Sequence, residues 1–121
     1  MEYTTVKRGT QIYNAPELFP GLDIIDETVQ NEEIKETTGA DIWAFGITMY
    51  ELLFQYHPFT NQGKITDQMQ IILRIMKLKP EQPPEQYSAN LRKLIMEMLK
   101  KDPAKRITAE QILTTPELAN Y

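Results

Sequence analysis

The sequence contains no cysteine, a single histidine and no long apolar run. Without cysteine the chain has no disulfide scaffold and no thiolate zinc site, and this composition fits a reducing compartment. His57 precedes Pro58 and has no clustered acids around it, so we expect an exposed loop residue and no metal site. The longest apolar segment, residues 42–54, is too short to span a membrane and includes Glu51.

Positive charge is also scarce. The chain has 13 Lys and Arg against 17 Asp and Glu, which gives a net charge of -4. Nucleic-acid binding needs a basic surface that releases counterions, so we expect no nucleic-acid partner and, from the hydropathy, no membrane. The N-terminus does not resemble a signal peptide, and we therefore expect a cytoplasmic or nuclear protein. Length and composition are those of one soluble globular domain.

Four blocks of the sequence favour α-helix, and no run alternates with period two. Residues 41–55 are apolar on nearly every side, which is typical of a helix surrounded by protein. Residues 66–77 and 88–100 are amphipathic, the first with Thr66 as its expected N-cap and the second with Ser88. Thr108 and Gln111 have the spacing of a capping box. The sequence therefore predicts an all-α fold with a buried central helix.

The apolar stripe predicted for the second helix is formed by Met69, Ile72, Leu73 and Met76. In the third helix the corresponding stripe consists of Leu91, Leu94, Ile95, Met98 and Leu99.

Three segments carry a family resemblance: GTQIYNAPE at 9–17, GADIWAFGITMYELL at 39–53 and LIMEMLKKDPAKRITAEQIL at 94–113. Their order and spacing resemble the C-terminal half of a protein kinase domain, in which Ala-Pro-Glu is a signature element. Thr10 is similar to the residue found in serine/threonine kinases. The resemblance implies that residues 1–121 are a partial kinase domain, the helical substrate-side lobe from the end of the activation segment onward.

The resemblance implies a structural role for eleven motif residues: Gly9, Tyr13, Ala15, Pro16, Glu17, Asp41, Trp43, Gly46, Asp102, Pro103 and Arg106. Glu17 and Arg106 resemble a buried ion pair, although each alone could be a surface charge. Asp41 resembles an acid that accepts hydrogen bonds from the catalytic-loop backbone, and compensation of the helix dipole is the alternative. Trp43 is expected to be a core residue.

Two residues are candidates for substrate binding. Thr10 resembles the threonine that orients the acceptor hydroxyl, with a simple Gly-Thr turn as the alternative. Glu51 resembles an acid that faces basic residues of a peptide substrate, and a solvated or structural carboxylate is the alternative. Thr4 and Thr5 are candidate phosphorylation positions, although the usual site of the family corresponds to Val6.

The 121 residues contain no Gly-rich phosphate loop, no strand lysine of the V-A-I-K type, no H-R-D and no D-F-G. We therefore expect no catalytic residue, no cofactor and no metal in this chain, and no activity of the chain alone. ATP and magnesium are implied for the full-length family. The segment 23–36 is acidic and lengthens the connection between the first two motifs, which indicates a surface loop or a short helix.

Two classes of function remain open. The chain is either the substrate-binding portion of a serine/threonine kinase or a non-catalytic interaction module derived from a kinase lobe. The partners expected are a protein substrate or docking partner, the other half of a kinase, or a second copy of the chain. We also expect part of the apolar central helix to remain uncovered.

Overall fold

The computed structural model describes residues 11–19 and 38–115, which contain helices and no strand. These ranges confirm the all-α expectation. Within them, every helix is too short or too polar to cross a membrane. Two 3-10 turns come first and four α-helices follow: Gln11–Tyr13, Pro16–Leu18, α1 (Thr38–Phe54), α2 (Gln68–Lys77), α3 (Ala89–Met98) and α4 (Ala109–Leu113).

The core is built around α1. Its Trp43, Ile47 and Tyr50 are completely buried, and Phe59 from the following loop stacks on the Trp43 ring at a centroid distance of 5.9 Å. The helix spans 38–54 rather than the expected 41–55. It ends because Gln55 adopts a left-handed conformation (φ 73°) in which its N–H still bonds to the Glu51 carbonyl.

One stripe of α1 is exposed. Phe45 is 49% and Leu52 66% exposed. Asp41 precedes them and Thr48 lies between them, each three or four positions from the next member of the stripe, and both are exposed. Residues separated by three or four positions share one side of a helix. The uncovered surface expected from the sequence is therefore a single stripe of α1, and the rest of the helix is packed.

The structure corrects two expectations for α2. The N-cap is Asp67 rather than Thr66, since the Asp67 carboxylate accepts a hydrogen bond from the Gln70 N–H at 3.1 Å. Met69 is 55% exposed, and the buried residues are Ile71, Ile72 and Ile75. Two overlapping apolar stripes exist on this helix, and tertiary packing against the Gln11–Tyr13 turn selects one of them.

The remaining helices begin where the sequence predicts. Ser88 caps α3 by accepting from the Leu91 N–H at 3.1 Å. Thr108 and Gln111 form the predicted capping box of α4. α3 ends at Met98 rather than at residue 100, because Leu99 has left the helical conformation and bonds back to the Met96 carbonyl.

The loop after α1 is fastened to the loop before α3. The Glu81 carboxylate accepts the backbone N–H groups of Asn61 (2.6 Å) and Gln62 (3.0 Å). Both of these residues, and Gly63 after them, have positive φ values, so the carboxylate stabilises a turn that is unfavourable for side-chain-bearing residues. The Tyr50 hydroxyl donates to the Glu81 carbonyl at 2.9 Å and links this turn to α1.

α1 and the C-terminal end of α3 approach each other closely at Gly46. A Cβ atom placed on Gly46 would lie 2.8 Å from the Met98 Cβ and 3.0 Å from the Leu99 Cδ2. A Cβ atom cannot move away without a shift of its backbone, so the two helices are in contact only because position 46 has no side chain.

We predict that Gly46→Ala destabilises the chain by about 1–3 kcal/mol, since overpacking α1 against α3 outweighs the roughly 1 kcal/mol that alanine gains in helix propensity. Urea denaturation measures this difference. Thr48→Ala, on the exposed stripe of the same helix, is the matched control and should change stability by less than about 0.5 kcal/mol. Equal stability of wild type and Gly46→Ala would contradict the close approach.

Candidate functional site

The candidate site is the surface around residues 11–19, the described part of the first motif. This segment consists of two 3-10 turns joined by Asn14 and Ala15. Ala15 is completely buried and has extended backbone angles (φ -65°, ψ 152°), as is favoured before a proline. Pro16 then begins the second turn with its fixed φ. The segment is thus held against the helices by a backbone with little freedom.

Glu17 and Arg106 form a bidentate ion pair. The Nη1 and Nη2 atoms of Arg106 each donate to one Glu17 carboxylate oxygen at 2.9 Å. The Arg106 side chain is fully buried, and that of Glu17 is 24% exposed. This is the buried pair expected from the sequence, and it fixes the first motif to the chain between α3 and α4.

Every N–H of the Arg106 guanidinium has an acceptor. Besides Glu17, it donates to the carbonyls of Gly39 (2.8 Å), Lys100 (2.8 Å) and Lys101 (3.1 Å). The carbonyl of Asp102 accepts from the backbone N–H groups of Lys105 and Arg106, while its carboxylate accepts from the Ala104 N–H at 3.0 Å. Asp102 and Pro103 therefore shape the turn that presents Arg106.

Tyr13 and Glu51 connect the first motif with α1. The Tyr13 hydroxyl donates to Glu51 Oε1 at 2.5 Å. Burial, and then the neighbouring Glu51 carboxylate, raise the pKa of Tyr13 to about 12, so the phenol keeps its proton. Within the described residues Glu51 Oε2 accepts no hydrogen bond. The carboxylate therefore has a structural contact and one oxygen left for another group.

His57 is buried, and the expectation of an exposed loop residue is wrong. Its side chain is only 4% exposed, with Nε2 2.8 Å from the Ile12 carbonyl and Nδ1 accepting from the Phe59 N–H at 3.1 Å. A neutral ring with its proton on Nε2 satisfies both contacts. Burial lowers the pKa of His57, and the Ile12 carbonyl and the Glu51 and Glu81 carboxylates only partly oppose this shift. The residue thus links the first motif to the loop after α1.

A signal for His57 was present in the sequence. The histidine directly follows the apolar helix and is itself followed by Pro58 and Phe59, and all of residues 57–60 are buried. A polar residue inside such an apolar sequence points to a satisfied core contact more than to a solvated loop.

The other motif residues on α1 occupy distinct environments. Trp43 is a core residue, as expected, and its indole N–H is the one buried side-chain polar atom without a partner in the described ranges. Arg106 lies over its ring, with Cζ 5.2 Å from the ring centroid. Asp41 is exposed in the first turn of α1 and makes no described hydrogen bond, which is compatible with dipole compensation and with a role toward another segment.

Four candidate residues lie outside the described residues: Thr4, Thr5, Gly9 and Thr10. The same holds for the acidic segment 23–36. Their predicted roles remain predictions.

The described residues contain neither a cluster of metal-ligating side chains nor a glycine-rich loop. In residues 11–19 and 38–115, no group of three or more histidine or acidic side chains is arranged to hold a metal ion. The glycines of these ranges, at positions 39, 46 and 63, are scattered and form no phosphate-binding loop. The site is a surface, held by the contacts of Arg106, Tyr13 and His57, that carries the partly exposed carboxylate of Glu51.

Comparisons with known proteins agree with the motifs. A family model described as the protein kinase domain matches residues 1–117. Over 112 residues, the chain is 37% identical to "Serine/threonine-protein kinase ppk34" of Schizosaccharomyces pombe, covering 91% of the chain and 27% of that protein. It is 34% identical over 110 residues to "Mitogen-activated protein kinase kinase 8" of Arabidopsis thaliana, covering 91% of the chain and 33% of that protein. The chain thus spans about a quarter to a third of the length of these relatives.

We predict that Arg106→Met or Glu17→Gln lowers the free energy of unfolding by about 3–5 kcal/mol, since the remaining partner keeps an unpaired charge or unpaired donors in a buried place. Arg106→Lys should not restore the loss, because an ammonium cannot reproduce the five-donor fork. Denaturant titration of the single and double variants gives the coupling energy.

The matched control for this pair is Lys100–Glu97, which is partly exposed with 3.6 Å between Nζ and Oε2. Glu97→Gln should cost at most about 1 kcal/mol. Similar losses of unfolding free energy for the exposed and the buried pair would contradict the role of Arg106 in fixing the first motif to the helices.

We also predict that the stability of the chain depends on pH through His57. Because the pKa of folded His57 lies below its unfolded value, the unfolded chain binds an extra proton as the pH falls below about 6.5. His57 should therefore reduce the free energy of unfolding below that pH, by up to about 1.36 kcal/mol per pH unit, until the folded pKa is reached. His57→Gln keeps a donor and an acceptor but does not titrate, so its stability should depend less on pH between about 6.5 and 5. Identical pH slopes would contradict this role.

Proposed function

This chain belongs to the protein kinase family, and on that premise we propose that it provides the substrate-side helical part of a serine/threonine protein kinase. Phosphoryl transfer from ATP to a protein serine or threonine would then be the activity of a longer assembly. The bidentate Glu17–Arg106 pair is the observation that supports this proposal most directly, because it fixes the substrate-side motif onto the helical scaffold. A cytoplasmic or nuclear location is part of the same proposal.

Within this function the 121 residues position a peptide and perform no chemistry. The ATP-binding and catalytic motifs are absent from the sequence, so ATP and magnesium would be held by another half of the kinase. Thr10 would orient the acceptor hydroxyl there. Glu51 would attract basic residues of the substrate through its second carboxylate oxygen, since Tyr13 already occupies the first.

The experiment joins the 121 residues to the ATP-binding half of a serine/threonine kinase and measures phosphate transfer to basic and neutral peptides. We expect the folded chimera to phosphorylate them. The chain alone should show neither transfer nor heat of Mg-ATP binding in calorimetry. Glu51→Gln should raise KM for the basic peptide about tenfold, with a smaller effect on the neutral peptide, because one charge pair is lost.

The controls separate folding from function. A chimera with its catalytic aspartate replaced should transfer no phosphate. Every variant, active or inactive, should show a cooperative thermal transition, which verifies that it is folded. A chimera that melts cooperatively but transfers no phosphate to any peptide would contradict the proposal. Mg-ATP binding by the chain alone would contradict the assignment of the nucleotide to another half.

A second candidate function rests on the exposed stripe of α1. Phe45 and Leu52 are large apolar side chains that the described residues leave about half or more exposed. A non-catalytic interaction module would use such a surface to bind the other half of a kinase or a second copy of the chain. Self-association in sedimentation experiments that is lost in Phe45→Glu, together with an inactive but folded chimera, would favour this alternative.

A further inference from the structure

A cavity of about 440 Å³ lies where the loop 79–82, the C-terminal end of α3 and the turn 102–105 meet. This volume is within the range of roughly 300–1,000 Å³ that is usual for ligand-binding pockets. None of Tyr13, Glu17, Glu51 and His57 lines it. The cavity therefore lies apart from these four side chains, and it adjoins the turn that presents Arg106 through Asp102.

The cavity concentrates positive charge on an acidic chain. Its lining includes four lysines and two acids: Lys79, Lys100, Lys101, Lys105, Glu97 and Asp102. Four lysines against two carboxylates leave an excess of two positive charges, whereas the whole chain carries -4. A negatively charged ligand would therefore meet a locally favourable potential in a chain that otherwise repels it.

The acids of the cavity already have partners. Glu97 pairs with Lys100 at 3.6 Å, and Asp102 accepts the Ala104 N–H at 3.0 Å. In contrast, Lys79 and Lys105 have no hydrogen bond or ion pair to any part of the chain that the structure describes, and both are exposed. These two ammonium groups are the ones available to a ligand.

Lys101 is held differently. Its Nζ donates to the Ile75 carbonyl and lies 4.7 Å from the centroid of the Phe59 ring. Burial lowers the pKa of Lys101 to about 8, so at pH 7 the group is still mostly protonated. Lys101 thus contributes charge from a fixed position, while Lys79 and Lys105 contribute it from exposed, solvated side chains.

Apolar groups complete the lining. Pro80 and Met96 contribute to it, together with Leu99, which is only 1% exposed. A cavity with apolar walls and a cationic rim matches a ligand that is apolar in its centre and anionic around it. A small inorganic anion would leave these walls in contact with water.

We propose that this cavity is a docking site for an acidic peptide segment of a partner protein, with an apolar side chain inserted against Met96 and Leu99. Carboxylates on either side of that side chain would pair with Lys79 and Lys105. The charge of the chain favours a short peptide over a nucleic acid or an anionic membrane, because extended polyanions would also face the acidic remainder of the surface.

The test uses the full 121-residue chain and a fluorescein-labelled peptide in which one leucine is flanked on both sides by glutamates. Fluorescence anisotropy should show binding that weakens with rising salt, because the contacts include solvated charge pairs. Replacing the leucine by serine, or the glutamates by glutamines, should each raise Kd on the order of tenfold.

The pocket variant is Lys79→Glu with Lys105→Glu, which should raise Kd by at least about tenfold through reversal of both free rim charges. The control is Lys64→Glu with Lys93→Glu, which makes the same change in net charge at exposed lysines outside the cavity. Thermal melts of both variants verify that they fold.

Three results would overturn the proposal. The first is an equal loss of binding in the pocket and control variants, which would indicate only a general effect of net charge. The second is binding that does not depend on the leucine, which would leave the apolar walls without a role. The third is pocket-dependent binding to vesicles that contain anionic lipid, with no binding of the peptide.

Discussion

The structure depends above all on one buried cation, Arg106, and on the groups that pair its charge and accept its hydrogen bonds. Arg106 is completely enclosed, and an enclosed guanidinium is tolerated only when its charge is paired and its donors are bonded. Its acceptors come from Glu17, from Gly39 in the first turn of α1 and from residues 100–101 after α3. Three parts of the chain that are distant in sequence must therefore meet at one side chain, and this requirement defines their relative positions.

Two further polar contacts determine how the segment 11–19 sits on these helices. Tyr13 donates to Glu51 on α1, and the Ile12 carbonyl accepts from His57 in the loop that follows. Each contact is partly shielded from water, so it is stronger than the same contact on the surface, and its loss would leave a buried group unsatisfied. The segment consequently has a fixed orientation even though its own 3-10 turns are only three residues long.

The sequence predicted the features that local patterns or motif pairs specify. The caps at Ser88 and Thr108 follow from side chains that bond to nearby amides, and the Glu17–Arg106 pair is implied by the resemblance of these two motif residues to those of the kinase family. The bonding partner of His57 and the buried side of α2 could not be obtained in this way. The two overlapping apolar stripes of α2 are equivalent until the Gln11–Tyr13 turn packs against this helix. The environment of His57 depends on the Ile12 carbonyl, 45 residues away.

The sequence of α1 is apolar on nearly every side, but its sides are buried unevenly. Most of the helix packs against α3 and the first motif, where Gly46 permits close approach and Trp43 fills the centre. Phe45 and Leu52 lie on the remaining stripe, and full burial of such side chains is worth about 1.5–3 kcal/mol each. A protein segment that covered this stripe would therefore stabilise α1 and everything anchored to it, including Gly39 and, through Arg106, the first motif. Stability of the scaffold and positioning of the candidate site are in this way coupled through a single helix.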